Sequence, residues 1–385
     1  MSQKVKYILL GFIGLNIILI IGGILFLTRS YQSIVVKPNK PKNLAVTKPT
    51  ATPTPDPDRP YSILLMGYGG GKHEGGRLTD SIIVARIEPK KQKVTLISIP
   101  RDLWVPIPIN GDTTKSFKIN AAYAIGSDDR TYPNKKIEFT GNAGGGEMAK
   151  YVVSKVVGFP IDFFVALDFQ GFVKTVDMLG GIDVKVQKTF DDPMYPIEKD
   201  VVDNCGKSDE EIAALTATMS GEKLEKQFPC RYETLHFEKG LQHLDGQTAL
   251  KFTRSRHSPT DGGDFNRAAR QRLVINAVKD RVISLNFIPK IIPFIRTLSG
   301  NMQTDIALPQ MEEYISKSSQ LTQYEIQSLA LTDQNVLIIG KSADGQSILR
   351  PGVGETDYSQ IQAFINDPSI LSITPTSKPS PQPTP

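Results

Sequence analysis

Cysteine is nearly missing: 385 residues hold only Cys205 and Cys230, and neither lies in a CxxC pair or at a zinc-ligand spacing. Zinc-ribbon and CxxC redox chemistry are thereby excluded. A large excess of one charge sign is also missing. Lys plus Arg number 45 against 40 Asp plus Glu, a net of +5, and nothing in that balance supports nucleic-acid binding. No internal repeat of structural period occurs, which excludes a solenoid. A Walker phosphate loop is missing as well. The Gly-rich GYGGGKHEGG, Gly67 to Gly76, has no Gly at the required distance before Gly71-Lys72, carries His73 at the Ser/Thr place, and contains no GxGxxG opening a helix. It reads as a flexible loop at a sheet edge or a non-Walker loop bordering a site.

What is present begins with Tyr7 to Leu27, an uncharged apolar run long enough to cross a bilayer as a helix. Lys4 and Lys6 precede it and no small-residue cleavage pattern follows, so the run is expected to be an uncleaved signal anchor behind a tail of residues 1–6. Positive charge on both flanks leaves the positive-inside rule undecided. The short N-terminal tail and the Pro/Thr/Lys-rich linker over 28–60 favour a body outside the cytoplasm. A Cys205–Cys230 disulfide is then the economical reading, with two unpaired thiols as the alternative. Residues 61–285 are expected to form the main domain and 286–366 its C-terminal part or an appended lobe. The Pro-rich 367–385 is expected to be a disordered tail.

Short β-branched runs at Ser62–Met66, Ser81–Ile87, Val94–Ile99 and Phe163–Leu167 predict buried strands, and IDVKV predicts another. Met148–Val157, the GFVKTVDMLGG stretch and Arg267–Leu285 predict helices, the second ended by Gly180-Gly181. The alternation implies a central sheet covered on both faces. Asp80 stands at the start of one strand, and Arg101-Asp102 just after another. Strand ends rimming a crevice are where α/β sheets bind ligands.

Arg254 to Arg272 place five arginines and two aspartates in nineteen residues, interrupted by Pro259 and two glycines. The stretch reads either as a solvated charged loop or as an anion clamp at a helix start, where unpaired N–H groups and guanidinium forks converge on phosphate oxygens.

Together these segments resemble the LytR-CpsA-Psr family of membrane-anchored enzymes that attach glycopolymers to peptidoglycan. The resemblance is carried by RLTDSIIVARI, VTLISIPRDLWV, KINAAYAIG, VALDFQGFVKTVDMLGGIDV, LQHLDGQTALKFTRSRH and DFNRAARQR. It implies an α/β fold, an α-β-α sandwich with a central mixed sheet behind one N-terminal transmembrane helix, at the cell membrane with the catalytic domain on the extracytoplasmic side. The implied partners are a polyprenyl-pyrophosphate-linked glycan, the peptidoglycan acceptor and the membrane, with Mg²⁺ as cofactor. Asp80 then matches the family's metal-binding acid, Arg101 the catalytic arginine, and Arg77 and Lys118 further pyrophosphate-binding cations. Arg254 and Arg256 match paired arginines after an ALKF-like strand, and Arg267 and Gln271 the start of the following helix. Asp102 and Asp264 remain candidates for orienting the arginines or accepting a proton. Tyr68 stands where many members carry a second metal-binding Asp, and Glu74 or His73 could replace it from the loop. Hydrolysis of the lipid pyrophosphate by water and non-catalytic binding of an anionic envelope polymer are the competing readings.

Overall fold

The computed structural model describes residues 34–39, 59–71, 75–197, 202–284, 297–298, 300–307, 309–311, 313 and 324–370. In chain order the main elements are strands β1 (Tyr61–Tyr68), β2 (Thr79–Glu88), β3 (Lys93–Ser98), β4 (Trp104–Asn110) and β5 (Thr113–Lys118), then helices α1 (Ala121–Gly126) and α2 (Gly144–Val157). There follow β6 (Phe163–Asp168), α3 (Phe169–Met178), β7 (Ile182–Val186), β8 (Phe190–Pro196), α4 (Asp209–Thr218), β9 (Tyr232–Phe237), β10 (Gly240–Leu244), α5 (Gly246–Arg254) and α6 (Gly263–Ser284). The chain closes with β11 (Met302–Thr304), β12 (Glu325–Ala330), β13 (Leu337–Lys341), β14 (Ser347–Pro351) and α7 (Ser359–Asn366). The described residues fall into two compact units, one drawn from Met1–Gly171 and Phe287–Pro385 and the other from Phe172–Asn286.

The first unit is built on a six-stranded sheet of order β11-β6-β1-β2-β3-β12. It is mixed: β1 runs parallel to β6 and β3 parallel to β12, while β1–β2, β2–β3 and β6–β11 are antiparallel. Strand β1 alternates, burying Ser62, Leu64 and Met66, the period-two pattern of a strand whose two faces differ. Strand β2 is buried continuously from Ile82 to Ala85, as a central strand should be. Helix α2 buries Met148, Ala149, Val152, Val153, Val156 and Val157 along one face and ends at Gly158, whose φ of 82° is the left-handed C-terminal stop. Gly146 is required by close packing: a Cβ there would come within 2.2 Å of the Phe164 ring.

Residues 34–39, expected within the linker, pack into this unit. Ile34 is fully buried with Leu298 and Met302, and the Val36 N–H donates to the Thr304 carbonyl at 2.9 Å. Apolar Ile34 and Val36 gain more from burial than an extended spacer would give them. The span expected at 7–27, the tail of 1–6, residues 40–58 and residues 371–385 lie outside the described residues. Among the described residues no helix is long and apolar enough to cross a membrane.

The second unit carries two ribbons, β7–β10 and β8–β9, both antiparallel. Its core joins Ile182, Val184, Phe190, Phe237, Phe252 and Val274. Three expectations change here. IDVKV is a strand, but it pairs with β10 rather than entering the central sheet. The ALKF run is helical, not extended: Asp245 caps α5 by accepting the Thr248 N–H at 2.7 Å, and Ala249, Leu250 and Phe252 are buried along it. Helix α6 also starts at Gly263, four residues before the expected Arg267. Cys205 and Cys230 are joined in a disulfide closing a separation of 25 residues around α4.

Candidate functional site

Sheet direction alone gathers the first set of residues. Because β6 and β1 run parallel, and β2 runs against β1 and β3, the ends of β6, β1 and β3 and the beginning of β2 share one edge of the sheet. Asp168 ends β6, Tyr68 ends β1, Asp80 is the second residue of β2, and Arg101-Asp102 follow β3. A register shift between Gly67 and Tyr68 leaves Asp80 as the extra residue on β2, a bulge of the kind that re-aims a side chain.

At this edge four sequence-predicted residues meet. Arg101 Nη1 donates to Asp80 Oδ1 at 2.7 Å, Arg101 Nε lies 3.6 Å from Asp102 Oδ2, and Lys118 Nζ lies 2.7 Å from Asp102 Oδ1. The order is acid, base, acid, base. The main chain of the Arg101 turn is fastened independently. The Asn120 N–H donates to the Arg101 carbonyl at 3.3 Å and the Leu349 N–H to the Asp102 carbonyl at 3.0 Å. Arg101, Lys118 and the two aspartates all keep part of their side chains exposed, with Asp80 at 35 %. The cluster is therefore rigid at its base and open to solvent, which is what a preorganised anion site requires.

Beside it stand two tyrosines. The Tyr68 and Tyr123 rings lie 5.3 Å apart, and the Tyr123 hydroxyl donates to Gln303 Oε1 at 2.9 Å. Burial and the neighbouring Asp168 carboxylate push the Tyr68 phenol up, so it stays neutral. Burial, with Tyr68 next, pushes Tyr123 up further. Arg77, an expected pyrophosphate ligand, donates to the Ser127 carbonyl at 2.9 Å, and its charge partly offsets both upward shifts.

Asp168 is the acid that sequence reasoning missed. It accepts the Gly171 N–H at 2.8 Å and Asn301 Nδ2 at 3.2 and 3.1 Å. Gly70 crosses it so closely that a Cβ would meet the Asp168 Cβ at 3.0 Å. A signal existed, since Asp168 ends an apolar strand just as Asp80 begins one; Asn301 gave none.

The second unit carries the remaining arginines. Arg254 ends α5 with its guanidinium 5.6 Å from the Tyr195 ring centre, and Arg256 lies in the loop that follows. Arg267 and Gln271 lie on α6, where Arg267 is 6 % exposed. That burial makes Arg267 a more enclosed group than an open phosphate ligand. Asp264 belongs to the first turn of α6, but its side chain, like Glu74 and His73, lies outside what is described. Asp80, Arg101, Asp102 and Lys118 are thus brought together in the first unit, with Arg77 beside the tyrosines.

A preformed, protein-held Mg²⁺ site does not fit the described residues. Asp80 is already paired with Arg101, Tyr68 is a neutral phenol, and the Asp168 oxygens are occupied by Asn301 and Gly171. The one group of three metal-type ligands among the described residues, Asp203 with Cys205 and Cys230, has both sulfurs in the disulfide.

A mixed α/β protein with an alternating Arg/Asp/Lys cluster at one sheet edge is the class that fold and geometry define. The LytR_cpsA_psr family model matches residues 27–359, and the chain belongs to that family. It is 31% identical over 283 residues to the polyisoprenyl-teichoic acid–peptidoglycan teichoic acid transferase TagV of Bacillus subtilis, covering 73% of this chain and 58% of the relative's length. It is 30% identical over 315 residues to the transferase of the TagU type from Bacillus cereus, covering 81% and 82%. Among solved structures, B. subtilis TagV aligns over 80% of this chain and 96% of its own at a TM-score of 0.52 and 28% identity. The protein gbs0355 of Streptococcus agalactiae aligns over 80% and 87% at 0.54 and 26%.

Proposed function

We propose that this protein is a membrane-anchored phosphotransferase that moves a glycopolymer from a polyprenyl-pyrophosphate carrier to peptidoglycan, on the extracytoplasmic side. The observation that carries the reading is the Asp80–Arg101–Asp102–Lys118 cluster, held in a chain of the same family as named teichoic acid transferases. A muramoyl hydroxyl attacks the phosphorus bearing the glycan, a new P–O bond forms, the pyrophosphate bridge breaks, and polyprenyl phosphate leaves. The hydroxyl proton passes to a carboxylate at the edge. Charge accumulates on the phosphoryl oxygens and on the leaving phosphate, and Arg101 and Lys118 offset it where it develops. Asp102, with Arg101 and Lys118 both at its oxygens, orients them. Arg254 and Arg256 bind the donor's pyrophosphate. Were Mg²⁺ to be bound, Asp80 would be its protein ligand beside the substrate phosphates, and the ion would supply further neutralisation of phosphoryl charge. The α-β-α layering and the 7–27 anchor belong to the same proposal.

The test supplies a polyprenyl-pyrophosphate-linked glycan with peptidoglycan acceptor, then with water alone. Covalent glycan on the acceptor supports transfer. Release of glycan phosphate at equal rate without acceptor would identify a hydrolase, and binding without turnover a polymer-binding protein.

A further inference from the structure

Arg254 ends α5 and Arg256 lies in the loop that follows, and the main chain of that loop is held by two buried charged side chains. Asp192 of β8 is fully buried, and its Oδ2 accepts three donors from one stretch of that loop. These are the Ser255 hydroxyl at 2.6 Å, the Arg256 N–H at 2.8 Å and the His257 N–H at 3.1 Å, while Oδ1 accepts the Met194 N–H at 3.1 Å. Arg270 of α6, 3 % exposed, takes the carbonyl side. Its Nε donates to the Phe252 carbonyl at 3.0 Å, its Nη1 to the Asp261 carbonyl at 2.7 Å and to Asp261 Oδ2 at 2.5 Å, and its Nη2 to the Ser255 carbonyl.

Between these two charges the loop is closed on itself. The Gly263 N–H donates to the Arg256 carbonyl at 2.9 Å, so both main-chain polar groups of Arg256 are used inside the protein. Gly262 lets the turn close, since a Cβ there would lie 2.3 Å from the Ser258 carbonyl and 2.6 Å from that of Arg256. Lys188 fastens the far end, donating to the Thr260 carbonyl at 2.7 Å and pairing with Asp261 at 2.9 Å.

A buried carboxylate and a buried guanidinium are costly to place and are strongly destabilising when one loses its partners. Here both are spent on a segment of a few residues. Burial alone would raise the Asp192 carboxyl, but the bonds from Ser255, His257, Arg256 and Met194 outweigh it and hold it below the usual carboxylate range. The group stays an anion, and an anion holds N–H donors more strongly than a neutral acceptor does.

We propose that Asp192 and Arg270 are positioning residues for donor binding: they preorganise the loop so that Arg254 and Arg256 meet the pyrophosphate without an ordering step. The inference rests on the role of Arg254 and Arg256 in the proposed function. A loop already fixed does not lose conformational freedom on binding, so the clamp appears in the affinity for the donor and not for the acceptor.

The experiment compares Asp192→Asn, Ser255→Ala and, as reference, Arg256→Ala in the full chain, measuring KM and kcat for donor and acceptor, and amide exchange at Arg256 and His257. In Asp192→Asn, donor KM rises about tenfold with acceptor KM unchanged, the size expected for loss of charge-assisted hydrogen bonds, and exchange at both amides quickens by a similar factor. Ser255→Ala moves both readouts the same way by roughly threefold, and decides the matter alone should Asp192→Asn not fold. Faster exchange with unchanged donor KM overturns the inference, as does unchanged exchange. Full activity of Arg256→Ala instead removes the functional reading, and the inference with it.

Discussion

Arg101 Nη1 and Asp80 Oδ1 lie 2.7 Å apart, joining the turn after β3 to the bulged start of β2. Twenty-one positions of chain separate them, yet antiparallel pairing of β2 with β3 brings their ends to the same edge.

Replacing Arg101 with Ala removes a preorganised donor, not a core side chain. Transfer should fall about 10²–10³-fold, with the far-ultraviolet spectrum unchanged. Arg101→Lys should recover little, because an ammonium cannot address Asp80 and a phosphate as a planar fork does. Turnover within threefold of wild type in Arg101→Ala would remove the residue from the mechanism.

Metal binding should follow the substrate. Calorimetry is expected to register little Mg²⁺ uptake by the protein alone and clear uptake once a polyprenyl-pyrophosphate analogue is bound, because Asp80 offers one carboxylate, already ion-paired. Tight binding without the analogue would reveal a complete protein site.

Tyr68→Asp tests the same edge from the other side. It places a second acid between Asp80 and Asp168 along the strand ends, and Mg²⁺ should then bind without substrate, since the metal relieves repulsion among the carboxylates. No gain in affinity would show that the tyrosine position does not face the ion.

Acid should weaken the second unit through Asp192. Its folded carboxyl titrates below the unfolded value of about 3.9, so the unfolded chain binds more protons as pH falls. The contribution is complete above that value and disappears as pH drops through the folded one. The difference in urea midpoint between wild type and Asp192→Asn should therefore be large at pH 7 and shrink below about pH 4. A difference constant across that range contradicts the ionised state of Asp192.

Reduction of Cys205–Cys230 opens a loop of 25 residues. By chain entropy this costs about 3 kcal/mol, and the paired serine variant should unfold at lower denaturant with activity retained beforehand. An unchanged midpoint would mean that the reduced loop keeps its order.

Local chemistry was legible in the sequence where pattern and place coincide. Asp80 and Arg101-Asp102 flank apolar strands, and strand ends can be read one strand at a time. Asp168 could have been read the same way. Asn301 could not, because its contact with Asp168 spans 133 residues and depends on β11 pairing with β6. The helical form of the ALKF run was hidden because a short apolar run satisfies both periods, and the Asp245 cap decided it. Burial of Ile34 escaped because the run Ile34-Val35-Val36, just ahead of a Pro/Lys-rich stretch, is too short to carry a periodicity.

The first unit's sheet is completed from both ends of the chain: β1, β2, β3 and β6 come before the second unit, β11 and β12 after it. During synthesis the continuous segment Phe172–Asn286 has all its own strands as soon as it emerges. The central sheet must wait for the C-terminal third, with β6 and β3 exposing unpaired edges meanwhile. Such edges invite pairing with other chains. A chain stopped at residue 286 should therefore aggregate through its unfinished sheet even though Asp80, Arg101, Asp102 and Lys118 are all present in it.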